Sequence, residues 1–167
     1  MYTILKEFGL EPVMVAKNRP NQNLYFLQKN VKLIIINDTF SILNESDYDF
    51  IMVNSDKTWG FTRNKIFEEQ AFLKFAKHWK IPKFIYGASL GSEYWYFSRS
   101  RDESAKILLK NFTGISFREK EVVNFAKKHL DMKSQFVLDP TFIIERHYYL
   151  DIIKNYKQNF NFKEKYY

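Results

Sequence analysis

The chain has 167 residues, of which 46% are hydrophobic and 19% aromatic, and it carries a formal net charge of +7. This length matches one domain with a single core, and the apolar content excludes a disordered chain. No apolar run approaches the roughly 18 residues needed to span a bilayer, and the first twenty residues lack a signal-peptide pattern. We therefore expect a cytoplasmic protein. Cysteine is absent, which excludes disulfides, thiolate nucleophiles and cysteine-based zinc sites.

The positive charge alone does not identify a partner, because nucleic acid, an anionic membrane or an anionic small substrate would each suit it. The lysines follow the polar faces of predicted helices instead of forming one basic stripe, so we do not expect nucleic-acid binding. His78, His129 and His147 show no metal-ligand spacing, and we interpret them as ordinary surface or boundary residues. We expect no metal and no cofactor.

The first half of the chain predicts a helix and then strands. Residues 2–8 have the pattern of a helix end stopped by Gly9, and residues 12–15 predict a strand. Residues 31–36 form a short apolar run that fits either a strand or a buried helix turn. Residues 50–53 predict a buried strand that ends at polar residues.

Helix and strand patterns then alternate as far as residue 138. Helical spacing of apolar residues occurs at residues 72–79, 105–112 and 119–130. Strands are predicted at residues 83–88, 114–117 and 135–138. The alternation indicates an α/β fold with a Rossmann-like, mostly parallel sheet and helices on both faces. In such sheets ligands bind beyond the carboxyl ends of the strands.

Polar or small residues follow four of the predicted strands. The first exit is Asn54-Ser55-Asp56-Lys57-Thr58-Trp59, and the second is Tyr86-Gly87-Ala88-Ser89-Leu90-Gly91. The first suits a hydroxyl-rich or phosphorylated ligand, or else caps a helix while Trp59 covers the core. The second allows a ligand to approach the backbone closely, or is a plain tight turn.

The third and fourth exits carry charge. Ser116-Phe117-Arg118-Glu119 places a guanidinium at a strand-to-helix junction, where it suits a carboxylate or phosphate ligand or pairs with a neighbouring carboxylate. Val137-Leu138-Asp139-Pro140-Thr141 is by itself a turn signal.

Taken in this order, the four segments resemble the polysaccharide pyruvyl transferase family, whose members carry patterns similar to GSDQVW, YAaSfG, SxRE and vlDPT. Asn54, Lys57 and Thr58 stand where the family usually has glycine, glutamine and a small aliphatic residue, whereas Ser55, Asp56 and Trp59 match. The resemblance covers roughly residues 1–153. It implies one Rossmann-like half of a two-domain, GT-B-like architecture that is incomplete at its start, with residues 154–167 leading toward a carboxyl-terminal domain outside this sequence.

The resemblance also implies an activity. Family members transfer the pyruvyl group of phosphoenolpyruvate to two hydroxyls of a sugar in bacterial cell-surface polysaccharide biosynthesis, which leaves a pyruvate ketal. Arg118 would bind anions, and Ser55, Asp56, Trp59 and Ser89 would orient the acceptor, with the indole stacked on the sugar ring. The full set of expected substrate-binding residues is Ser55, Asp56, Trp59, Ser89, Gly91, Ser116, Arg118 and Glu119. Asp139 is expected to be structural, and the general acid is expected in the carboxyl-terminal domain.

Two other interpretations stay open at the level of sequence. A GT-B-like glycosyltransferase that uses a nucleotide sugar would have the same sheet and the same position of the site. An inactive sugar-binding remnant would account for the altered residues between Asn54 and Thr58. The acceptor sugar, the oligomeric state and a peripheral contact with a membrane-linked glycan are likewise open.

Overall fold

The structure is a computed structural model that describes residues 1–17, 31–37, 39–54, 59 and 71–157. Its strands are β1 (Met14–Lys17), β2 (Leu33–Ile36), β3 (Ile51–Val53), β4 (Lys83–Ala88), β5 (Gly114–Phe117) and β6 (Gln135–Phe136). Its α-helices are α1 (Tyr2–Glu7), α2 (Arg99–Leu109), α3 (Lys120–Leu130) and α4 (Arg146–Lys157), with 3-10 turns at Glu45–Asp47, Lys74–Ala76 and Pro140–Phe142. Within the described residues, every helix is too short or too polar to traverse a bilayer.

All of the described strand pairs are parallel. β1 pairs with β2, and a second sheet has the order β3-β4-β5-β6, so its neighbours in space are also neighbours in sequence. This arrangement confirms the prediction of an α/β fold with parallel sheets. It also decides the ambiguous run at residues 31–36, which contains strand β2.

Helices α2 and α3 cover the four-stranded sheet with their apolar stripes. Ala105 and Leu109 of α2 are buried, as are Val122, Ala126 and Leu130 of α3. The successive crossovers step in one direction, so right-handed connections bring α2 and α3 to the same face, where they pack against each other. Helices on the opposite face stay a prediction.

The predicted helix over residues 72–79 is wrong as a continuous element. Leu73 has a left-handed backbone with φ 48°, and only a 3-10 turn at Lys74–Ala76 follows it. This conformation is costly for a residue with a Cβ atom, by about 1 kcal/mol, and it interrupts the helical hydrogen bonds. Apolar residues of this stripe are nevertheless buried, since Phe72 and Ala76 both lie in the core.

The last strand is shorter than expected from residues 135–138. β6 comprises only Gln135–Phe136, and both of its residues are exposed, so it is a short strand at the sheet edge. Short edge strands are one way in which proteins avoid pairing with another chain. α4 spans residue 153 and continues to Lys157, and the domain boundary expected near residue 153 stays a prediction.

Trp59 occupies the centre of the core and is completely buried. Its ring meets Phe72 and Phe117 edge-to-face, with centroids 5.2 and 4.8 Å away, and stacks on Phe97 at 6.2 Å. Such aromatic pairs add about 0.5–1.5 kcal/mol each beyond the buried area. Trp59 therefore joins the segment after β3 to the sheet and to the segment that precedes α2.

Strand β4 contains one extra residue. Ile85 pairs with Ile115 and Ala88 with Phe117, so Tyr86 and Gly87 together lie opposite Ser116. Gly87 has φ +58°, which a residue without Cβ adopts at little cost. The Ser116 hydroxyl accepts a hydrogen bond from the Gly87 N–H at 3.1 Å and donates one to the Ile85 carbonyl at 3.2 Å. Ser116 thus replaces the backbone bonds that the bulge displaces.

This role of Ser116 predicts the effect of removing its hydroxyl. Ser116→Ala leaves the buried Gly87 N–H without its acceptor, and it should lower the free energy of unfolding by about 1–3 kcal/mol. Urea denaturation measures the loss. Ser100→Ala, at an exposed position of α2, is the control and should stay within about 0.5 kcal/mol of wild type. Equal stability of the two variants would contradict the bulge role.

Candidate functional site

The candidate site lies at the carboxyl ends of the strands of the four-stranded sheet. Because these strands are parallel, their exits share one edge. At the first exit the Asn54 amide donates a hydrogen bond to the Tyr86 carbonyl at 2.8 Å, which ties the end of β3 to the bulge of β4. Ser55 and Asp56, which follow directly in sequence, lie outside the described residues.

The exit of β4 is organised around Ser89. This side chain is 3% exposed, and its hydroxyl accepts a hydrogen bond from the Gly91 N–H at 3.1 Å. It donates to Glu119 Oε1 at 2.5 Å, across the gap to the exit of β5. Gly91 has φ +64°, which suits the tight turn closed by the Ser89 hydroxyl.

Arg118 connects the exit of β5 with its neighbours on both sides. Its N–H donates to the Ala88 carbonyl of β4 at 3.2 Å, which continues the pairing of the strands. Its guanidinium binds Asp139 through Nη1, and Nε lies 3.8 Å from Glu119 Oε1. The Arg118 and Asp139 side chains are each about one-fifth exposed, so this ion pair is partly shielded from solvent.

Both carboxylate oxygens of Asp139, at the exit of β6, accept hydrogen bonds. Its Oδ1 accepts hydrogen bonds from the Thr141 N–H at 2.9 Å and the Thr141 hydroxyl at 2.7 Å, and its Oδ2 binds Arg118. These bonds from Thr141, with a smaller contribution from Arg118, hold the pKa of Asp139 below its ordinary value of 3.8. The carboxylate caps the 3-10 turn at Pro140–Phe142, which is compatible with the structural role expected from sequence.

The side chains of Ser89, Glu119, Arg118, Asp139 and Thr141 therefore form a chain of polar contacts across three strand exits, which we call the edge network. It contains one guanidinium and two carboxylates. Glu119 Oε2 is buried and has no hydrogen-bond partner among the described residues, in contrast to Oε1. No cluster of three or more metal-ligating side chains occurs in the part of the chain that the structure describes.

Two expected ligand contacts have a different environment. The indole of Trp59 is packed inside the core, which favours the core-covering interpretation over stacking on a sugar, and its Nε1 has no partner among the described residues. Ser116 is 7% exposed, and its hydroxyl is used by the backbone of β4. Ser89, Gly91, Arg118 and Glu119, by contrast, are brought together as the sequence predicts.

Sequence reasoning overlooked three polar side chains that shape this edge. The Thr141 hydroxyl donates a hydrogen bond to the Asp139 carboxylate, and the Asn54 amide donates one to the Tyr86 carbonyl in the bulge. The Tyr96 hydroxyl lies 2.8 Å from the Trp59 carbonyl and 2.9 Å from the Leu90 carbonyl, which share its single proton, and so joins the segments after β3 and β4. An aspartate two residues before a threonine is a known turn pattern that could have indicated the first contact. No local pattern could have indicated the tyrosine contacts, which depend on tertiary structure.

Comparison with known proteins gives one match. The family model described as "Polysaccharide pyruvyl transferase" matches residues 1–167, the whole chain. No curated protein and no solved structure matches it.

The lowered pKa of Asp139 predicts a pH-dependent contribution to stability. The folded-state pKa lies below the ordinary value of 3.8, so the contribution is complete above pH 3.8 and is lost as the pH falls through the folded-state value. Asp139→Asn should therefore lower the unfolding free energy at pH 7 by about 1–3 kcal/mol, and the difference from wild type should shrink at lower pH. Asp151→Asn, which changes an exposed carboxylate of α4, is the control. A difference from wild type that stays constant down to pH 2 would contradict the assignment.

Proposed function

The chain belongs to the polysaccharide pyruvyl transferase family, and we propose that it transfers the pyruvyl group of phosphoenolpyruvate to a sugar of a polysaccharide or glycan precursor. The product is a pyruvate ketal on two hydroxyls of one sugar, with release of phosphate. The observation that carries this proposal is the edge network, which gathers a guanidinium, a carboxylate and a hydroxyl at the sheet edge where such folds bind ligands.

Arg118 is the proposed binding group for the donor. A guanidinium has five N–H donors in a planar fork that suits a carboxylate or phosphate. Its contacts with Asp139 and Glu119 orient this fork at the junction of β5 and α3. A guanidinium held by other side chains loses less conformational entropy when a ligand binds.

The acceptor sugar is proposed to lie beside Glu119 and the exit of β3. Ser55 and Asp56 follow β3, and a serine hydroxyl and a carboxylate are suitable partners for sugar hydroxyls. Ser89 contributes indirectly, since its buried hydroxyl holds Glu119 and the Gly91 turn.

We further propose that this chain forms the amino-terminal, Rossmann-like half of a two-domain, GT-B-like transferase in the cytoplasm, with the opposite wall of the cleft supplied by a carboxyl-terminal domain. The sequence match to the family and the parallel α/β fold support this arrangement. A general acid that protonates the methylene carbon of the donor would come from that domain.

Product mass tests the reaction directly. The full-length protein is incubated with phosphoenolpyruvate and a panel of glycan acceptors, and mass spectrometry should show the addition of one pyruvyl unit, accompanied by phosphate release. Addition of a hexose from a nucleotide sugar would instead indicate a glycosyltransferase. Saturable sugar binding with no product under any donor would indicate a binding protein, and either result would overturn the proposal.

Two substitutions separate donor binding from a purely structural role of Arg118. Arg118→Gln should weaken phosphoenolpyruvate binding by about 10- to 100-fold, because a charge-assisted hydrogen bond is lost. Asp139→Asn keeps the guanidinium and removes a competing carboxylate, so the donor affinity should be unchanged or higher. Isothermal titration calorimetry measures both affinities. Equal weakening in the two variants would show that Arg118 only supports the fold.

A further inference from the structure

We infer that Glu119 is a catalytic base, whose Oε2 accepts the proton of the attacking acceptor hydroxyl, and that Ser89 is the residue that positions it. This inference rests on the proposed function, because it assigns a role within that reaction. It is drawn from the unequal surroundings of the two carboxyl oxygens of Glu119.

The hydrogen-bond directions identify which oxygen can exchange a proton. The Gly91 N–H can only donate, so the Ser89 oxygen accepts from it and the Ser89 proton is available for Glu119 Oε1. Arg118 Nε lies 3.8 Å from the same oxygen and is also a donor. Oε1 is therefore held as an acceptor by its neighbours. A proton taken up by this carboxylate would be carried by Oε2.

Oε2 is shielded from solvent and has no hydrogen-bond partner among the described residues, whereas the side chain as a whole keeps 34% of its surface exposed. A covered acceptor without a hydrogen bond costs about 1–3 kcal/mol. A ligand hydroxyl that donates to Oε2 would remove this cost, so binding of the acceptor and completion of the network would coincide.

The other carboxylate of the edge network does not have this property. Both oxygens of Asp139 are occupied, Oδ1 by Thr141 and Oδ2 by Arg118. The hydrogen bonds that lower its pKa also make it a weaker base. Within the described part of the edge network, Glu119 is thus the carboxylate with an unoccupied oxygen.

The proton balance of the reaction gives this oxygen a definite task. In the first step the acceptor oxygen bonds to C2 of the enolpyruvyl group while the double-bond electron pair takes a proton from a general acid at C3. The hydroxyl proton passes to Glu119 Oε2. In the second step the other hydroxyl oxygen bonds to C2, the C2–O bond to phosphate breaks with its electron pair, and the second hydroxyl proton leaves with the phosphate. Glu119 then returns its proton to solvent and the general acid takes one up from solvent, so both groups are restored and no net proton is consumed.

The test compares isosteric variants of the full-length protein in the pyruvyl-transfer assay. Glu119→Gln keeps the shape and can still accept from Ser89, but its amide cannot take up a proton; kcat should fall by at least about 100-fold. Acceptor affinity, measured separately by calorimetry, should change by less than about 5-fold. The pH profile of kcat should also differ from that of wild type, because the variant has no carboxylate at this position. Glu121→Gln, two residues further along α3 and exposed, is the matched control.

A second pair of variants tests the positioning by Ser89. Ser89→Ala should lower kcat by about 10-fold with little change in acceptor affinity, and Ser89→Thr, which keeps the hydroxyl, should restore most of the activity. A Glu119→Gln variant that keeps near wild-type kcat and the wild-type pH profile overturns the inference while wild-type transfer upholds the proposed function. A wild-type protein that transfers no pyruvyl group to any acceptor overturns both.

Discussion

The extra residue in β4 is the constraint on which the functional edge of the sheet depends. It turns Gly87 to φ +58°, where an added Cβ would contact Pro140 at 3.5 Å and Val137 at 3.8 Å. The Asn54 amide donates a hydrogen bond to the Tyr86 carbonyl, and the Ser116 hydroxyl accepts one from the Gly87 N–H. The exits of β3 and β5 are thereby both tied to one backbone irregularity. Bulges are frequent beside functional sites, and Ser89, which bonds to Glu119, follows this one by two residues.

The edge network also places opposite charges close together. One guanidinium lies between two carboxylates, so its charge is shared by Asp139 and Glu119 instead of being fully available to an anion. The two carboxylates are not equivalent, because Asp139 is satisfied by Thr141 and Glu119 keeps one oxygen without a partner among the described residues. Such a site suits a ligand that brings both a negative group for the guanidinium and a hydroxyl for the carboxylate.

The sequence predicts the elements better than it predicts the roles of polar side chains. Residues 83–88 and 114–117 are strands as predicted, because apolar runs bounded by turn residues identify buried parallel strands. The predicted helix at residues 72–79 fails at Leu73, a buried residue with a left-handed backbone conformation that the apolar spacing does not reveal. The sequence also does not distinguish the roles of the two buried serines. Ser116 bonds to the bulged backbone of β4, whereas Ser89 bonds to Glu119. The bulge is a one-residue change of strand register, which the composition does not reveal.

The start of α3 departs from the usual capping preference of helices. Glu119 occupies the position before the helix, where serine, threonine, aspartate or asparagine normally bonds to the first exposed N–H groups. Its side chain makes no capping bond and turns instead to Ser89 and Arg118. A capping bond contributes about 0.5–2 kcal/mol, so its absence is a local cost, and Oε2, which has no partner among the described residues, adds to it. Departures from local preference concentrate where a protein binds or transforms a ligand. The missing cap and the oxygen without a partner among the described residues belong to the same residue, and the proposed catalytic role of Glu119 accounts for both.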